Sequence, residues 1–100
     1  MNSASSFQIP KVAVIGAGDW GRNLVRNFQD LNALAGVCDT SENKIRNLKN
    51  AHPDCRFFSS FDTVLKDPSI QAVAIATPAE SHGEFVKRAL LAGKDVFVEK

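Results

Sequence analysis

Val12-Ala13-Val14-Ile15-Gly16-Ala17-Gly18-Asp19-Trp20-Gly21 is the stretch that decides how the rest of the chain reads. Val12 to Ile15 is a short, wholly apolar run of the kind found in strands covered on both faces. Gly16, Gly18 and Gly21 then follow as G-x-G-x-x-G and lead into Leu24, Val25, Phe28 and Leu31, apolar positions at helical spacing. A chain with 6 glycines can produce such a spacing by chance. What gives it weight is its place, directly after an apolar strand and at the opening of an amphipathic helix. There each glycine has a task. Gly16 allows the tight turn, Gly18 lets backbone approach a diphosphate with no Cβ in the way, and Gly21 permits close helix–strand packing. The amides around Asp19 and Trp20 meet the phosphates at the positive end of the helix dipole. The competing reading is a plain glycine-rich turn with no ligand.

Outward from this turn the chain alternates. Further apolar runs occur at Leu34 to Cys38, Arg56-Phe57-Phe58, Ala72 to Ala76 and Val96-Phe97-Val98. Between them lie helical stretches: Ile45 to Asn50, Phe61 to Lys66 stopped by Asp67-Pro68, and Phe85, Val86, Ala89 and Leu90 closed by Gly93. The first, fourth and fifth runs are almost wholly apolar and read as strands buried on both faces. The pattern predicts an α/β fold, a doubly wound parallel sheet of the Rossmann type with strand order 3-2-1-4-5. Residues 1–9 are polar and serine-rich and read as a disordered tail; residues 10–100 read as the domain, cut short at its C-terminal end.

The bulk properties narrow the class. One hundred residues make room for one domain, and 44% hydrophobic residues suffice for a core. Charge is balanced at 12 basic against 11 acidic residues, split 6 to 4 in the first fifty and 6 to 7 in the last. Neither half is a basic arm, which argues against a nucleic-acid groove or an anionic-membrane surface. No apolar run approaches the roughly 18 residues of a membrane span, and the N-terminus lacks the apolar core of a signal peptide. Cys38 and Cys55 form no disulfide framework, and neither they nor His52 and His82 have metal-ligand spacing. A reducing, cytoplasmic setting without a metal is the expectation.

Asp39 ends the second run, 18 residues past Gly21. That is where a carboxylate accepts hydrogen bonds from the adenosine ribose hydroxyls, each worth about 1.5–3 kcal/mol. Its charge repels a 2′-phosphate, so the expected cofactor is NAD rather than NADP. Alternatively Asp39 caps a helix beginning near Thr40, with Glu42 completing a box. Thr77 with Glu80, and Pro78 between them at the first helical position, has the form of a capping box. In the expected strand order this loop faces the crevice beside the first strand, so Thr77 and Pro78 can touch a cofactor while capping. His82 alone reads more readily as a partly buried polar side chain than as an acid or base, and His52 as a surface turn. Glu99-Lys100 is either a charged pair ending the fifth strand or a lysine placed to handle a proton as hydride leaves.

With these residues placed, the stretch from about Lys11 to Lys100 resembles the N-terminal part of a Gfo/Idh/MocA-family oxidoreductase. The likeness rests on Gly16 to Gly21, Asp39, Thr77-Pro78 with His82 four residues after the proline, and Glu99-Lys100, which is similar to the start of the family's E-K-P motif. The resemblance implies that Lys100 contacts substrate and nicotinamide and supports proton transfer, and that Glu99, Thr77, Pro78 and His82 line the nicotinamide side. It also implies a second α/β domain that holds the substrate, a homo-oligomer, and a small-molecule substrate: a sugar, nucleotide sugar or cyclitol oxidised at a carbinol carbon. Trp20 to Phe28 looks similar to members acting on nucleotide-linked amino sugars. A non-catalytic NAD-binding or sensing module is the alternative on the same fold; a proton-handling lysine distinguishes the enzyme from it.

Overall fold

The computed structural model describes residues 10–98. Its sheet has the order β3-β2-β1-β4-β5, all pairs parallel. The strands are β1 (Val12–Ile15), β2 (Leu34–Cys38), β3 (Phe57–Phe58), β4 (Ala72–Ile75) and β5 (Asp95–Val98). The helices between them are α1 (Asp19–Asp30), α2 (Glu42–Ala51), α3 (Phe61–Lys66) and α4 (His82–Leu91). The expected doubly wound topology is therefore what forms. The expected N-terminal tail and the pair Glu99-Lys100 lie outside the described residues.

Apolar sequence becomes sheet here because both faces are covered. In β1, Val12 and Val14 pack with α1 and α2 through Val25, Phe28 and Leu48, while Ala13 and Ile15 face Phe61, Val64, Phe85 and Ala89 beneath α3 and α4. Every residue of β1 and β4 is buried. The fifth run corrects the expectation drawn from its composition. β5 is the edge strand, with Phe97 56% and Val98 44% exposed, and only Val96 packs into the core. Phe97 meets Phe28 of α1 with ring centroids 6.4 Å apart, yet most of its ring stays open to solvent.

Strand register aligns the loops that line the carboxyl edge of the sheet. Ile15 pairs with Cys38 on one side and Ile75 on the other, so β2, β1 and β4 end in one row. Gly16 donates its N–H to the Cys38 carbonyl and Ala76 donates to that of Ile15, each at 2.8 Å, which carries the alignment one residue past the strands. Asp39, Gly16 and Thr77 thus emerge side by side at that edge.

At the opposite edge, Lys94 is buried, and its Nζ donates to the carbonyls of Asp67 (2.7 Å) and Ile70 (2.6 Å). Its stem crosses apolar surface while its charge satisfies backbone acceptors behind α3. The Asp67 carboxylate accepts from the hydroxyl and amide of Ser69 and from Arg56. The Ser69 bonds, and then Arg56, lower its pKa from 3.8 to about 2. Between those two values the unfolded chain binds the proton more readily than the folded chain, so stability rises with pH across that window. The contribution is fully present above about pH 4 and is lost as the pH falls toward 2. Urea titrations at pH 2 to 5 should show the stability gap between wild type and Asp67→Asn closing as the pH drops; a gap constant over that range would contradict the assignment.

Candidate functional site

The turn between β1 and α1 is built by two glycines that the protein itself demands and one that it does not. Gly16 has φ +104°, a backbone that side chains rarely adopt, and it lies against the backbone of Ala76 and Thr77. A Cβ on Gly21 would sit 1.9 Å from the Gly16 carbonyl oxygen. Gly18 differs: its φ of −75° suits any residue, and a Cβ there would meet no atom within 4 Å. It stands as the N-cap of α1, with no side chain capping the helix. The first-turn amides are therefore left for an incoming acceptor. The Asp19 side chain points into solvent and pairs with Arg22, which leaves its backbone amide as its means of contact with a ligand in the cleft.

Asp39 leaves β2 beside this turn, and both its oxygens are held. Oδ2 accepts from the Ala17 N–H and Oδ1 from the Ser41 N–H, each at 2.7 Å. The carboxylate so ties the glycine turn to the start of α2. It is not the helix cap that the alternative reading proposed. Ser41 occupies that position, its hydroxyl accepting from the Lys44 N–H at 3.3 Å, and Glu42 lies in the first turn without closing a box. Each Asp39 oxygen keeps a free lone pair for a hydroxyl donor.

The loop after β4 departs from the expected capping box. Pro78, with φ −55° and ψ 148°, is extended and precedes a 3-10 turn over Ala79–Ser81, and α4 begins only at His82 with no side-chain cap. The Thr77 hydroxyl is engaged by Ser81 Oγ at 3.0 Å, so it does not cap the helix. His82 Nε2–H donates to the Thr77 carbonyl at 2.6 Å, the satisfied polar role that its isolation in the sequence favoured.

One cleft of about 860 Å³ joins these parts, and Gly16, Gly18, Trp20, Asp39, Thr77, Pro78 and His82 all line it. Asp19 and Gly21 do not: the first faces solvent and the second packs against Gly16. The cleft also takes in Thr40, Lys44, Ser60 and Phe61, which no motif in the sequence marks. Their signal is topological, since they follow β2 and β3, which run out in sequence on the same side of β1. Cys38 lines the same wall, but burial, aided by the Asp39 charge, pushes its thiol up to about 11, so it stays protonated at neutral pH and is a poor nucleophile. Among the described residues no three His, Cys, Asp or Glu side chains gather as a metal site. No helix there is long and apolar enough to cross a membrane.

A parallel sheet of this order, with a glycine turn and an uncapped helix N-terminus beside a fixed carboxylate, defines a dinucleotide-binding domain. Residues 10–100 match the model of the oxidoreductase family with an NAD-binding Rossmann fold, and the chain belongs to that family. It is 32% identical over 90 residues to the UDP-N-acetylglucosamine 3-dehydrogenase of Acidithiobacillus ferrooxidans, covering 90% of this chain and 28% of that one. The inositol 2-dehydrogenase of Pseudomonas fluorescens is 32% identical over 94 residues, with the same shares covered. Among solved structures, GenD2 from gentamicin A biosynthesis, in complex with NAD, superposes with a TM-score of 0.84 at 28% identity, covering 93% of this chain and 27% of that one. The chain thus spans less than a third of the length of these relatives.

Proposed function

We propose that this chain is the cofactor-binding part of an NAD-dependent dehydrogenase acting on a carbinol carbon of a sugar, nucleotide sugar or cyclitol. The observation that carries the reading is the Gly18–Asp39 pair: open space where a diphosphate needs backbone alone, beside a carboxylate braced by two amides with lone pairs to spare for a ribose. The named activities of the similar dehydrogenases support the substrate class. When bound, the nicotinamide supplies the hydride acceptor. Around it, the Gly18, Asp19 and Trp20 amides hold the diphosphate, Asp39 holds the adenosine ribose, and Thr77, Pro78, His82 and Glu99 border the nicotinamide. Lys100 takes the proton of the substrate hydroxyl as the C–H bond is broken.

Titration of the full-length protein with NAD and NADP tests the reading. NAD should bind more tightly, because Asp39 faces a 2′-phosphate with like charge. Lys44, on the same cleft wall, makes no ion pair among the described residues and offsets part of that repulsion. Lys44→Ala should therefore weaken NADP about fivefold, the size of an exposed charge interaction, and leave NAD within about twofold. Tighter binding of NADP by the wild type, or silence toward both nucleotides, would sink the assignment.

A further inference from the structure

Thr77, Ser81 and Pro78 form a short hydrogen-bond chain whose direction can be worked out by counting protons. Ser81 Oγ lies 2.8 Å from the Pro78 carbonyl oxygen and 3.0 Å from Thr77 Oγ1. A carbonyl only accepts, and a serine hydroxyl has one proton, so that proton goes to Pro78. The contact between the two hydroxyls is then made by the Thr77 proton, directed at Ser81 Oγ. Thr77 is fixed from a second side, where His82 Nε2–H donates to its carbonyl. Thr77 lines the cleft, and with its hydroxyl proton already committed inward, a lone pair is what that side chain has left to offer a ligand.

Resting on the dinucleotide reading above, we infer that Ser81 is a positioning residue that makes Thr77 an obligate acceptor, selecting a hydrogen-bond donor on the ligand: the amide N–H of the nicotinamide carboxamide. Placement along the sheet supports this partner. Asp39 stands at the end of β2, the glycine turn at the end of β1, and Thr77 at the end of β4, with about 4.8 Å from strand to strand. A dinucleotide with its adenosine ribose at Asp39 and its diphosphate at the glycine turn extends its nicotinamide half toward β4. An acceptor there disfavours phosphate oxygens and welcomes an N–H.

Three ligands read the polarity by calorimetry on the full-length protein: NAD; its 3-acetylpyridine analogue, in which a methyl group replaces the carboxamide NH2; and ADP-ribose, which lacks the ring altogether. Wild type should bind NAD about tenfold more tightly than the analogue, as expected for an acceptor left without its donor. Ser81→Ala releases the Thr77 proton to turn outward toward the ketone, so this ratio should fall to about twofold or less while ADP-ribose affinity stays unchanged. Ser81→Thr keeps the hydroxyl and should restore the ratio. Thr77→Val should abolish it by lowering NAD affinity alone. A Ser81→Ala ratio equal to wild type, or NAD and ADP-ribose weakened in parallel, overturns the proposal and leaves the cofactor reading standing. Failure of wild type to bind either NAD or ADP-ribose overturns both.

Discussion

Gly21→Ala should lower the stability of the protein by about 3 kcal/mol or more, and with it abolish NAD binding, whereas Gly18→Ala should weaken NAD binding at a cost of only about 1 kcal/mol in stability. The two residues belong to one six-residue turn, so a difference between them isolates what each is for. At Gly21 the new methyl would lie 1.9 Å from the Gly16 carbonyl oxygen, and that atom is backbone in a turn already held at φ +104°. Nothing flexible is at hand to give way, so α1 must lift from β1. For a domain of this size the loss corresponds to a fall of roughly 12–24 °C in Tm. At Gly18 the same methyl enters empty space on a backbone any residue can adopt. Gly18 is the N-cap of α1, where alanine is poorer than glycine, so stability should fall by only about 1 kcal/mol. The methyl would nevertheless stand where the diphosphate approaches the helix amides, and NAD affinity should fall about 100-fold, or some 2.7 kcal/mol. Differential scanning calorimetry and ligand titration on both variants provide the check. A Gly18→Ala protein that binds NAD as wild type does would remove the phosphate from this turn.

Asp39→Ala is expected to act on binding and on the fold together. The carboxylate accepts from Ala17, itself 2% exposed, and from Ser41. Removing it strands the Ala17 amide away from water, for about 1–3 kcal/mol, and loosens the turn. NAD loses both its ribose acceptor and the preset turn, and its affinity should fall about 10- to 100-fold. NADP should fall less, since relief of like charge offsets part of the loss, and the preference between the two nucleotides should narrow. Asp39→Asn is not a mild control: its NH2 would face one of the two N–H groups that the carboxylate now accepts, donor against donor. Equal losses for NAD and NADP in Asp39→Ala would place the ribose elsewhere.

The topology was legible because hydrophobic period and chain connectivity are strong, local signals: Val12 to Ile15 and Ala72 to Ile75 announce buried strands, and crossover handedness orders them. Whether such a run is covered is not local. Val96-Phe97-Val98 has the same composition, yet it forms the edge. Capping failed for a related reason. Thr77 and Glu80 have the right spacing, but the hydroxyl that would cap is already bonded to Ser81, a competition that only the folded loop reveals. At the site, Gly16, Gly18 and Asp39 were readable because their spacing encodes a geometry. Lys44, Ser60 and Phe61 were not, because nothing in their own neighbourhood says that β2 ends beside β1 and β3 beside β2.

The aligned strand exits have a consequence for how this domain can change. Ile15, Cys38 and Ile75 are each at most 5% exposed, while Asp39 and Thr77, one and two residues beyond, are only half-buried. Ligand preference and thermodynamic robustness are thereby written in adjacent but separate letters. Lineages or libraries that vary the rim while sparing the residue beneath it should explore new nucleotides and substrates with little cost in foldability.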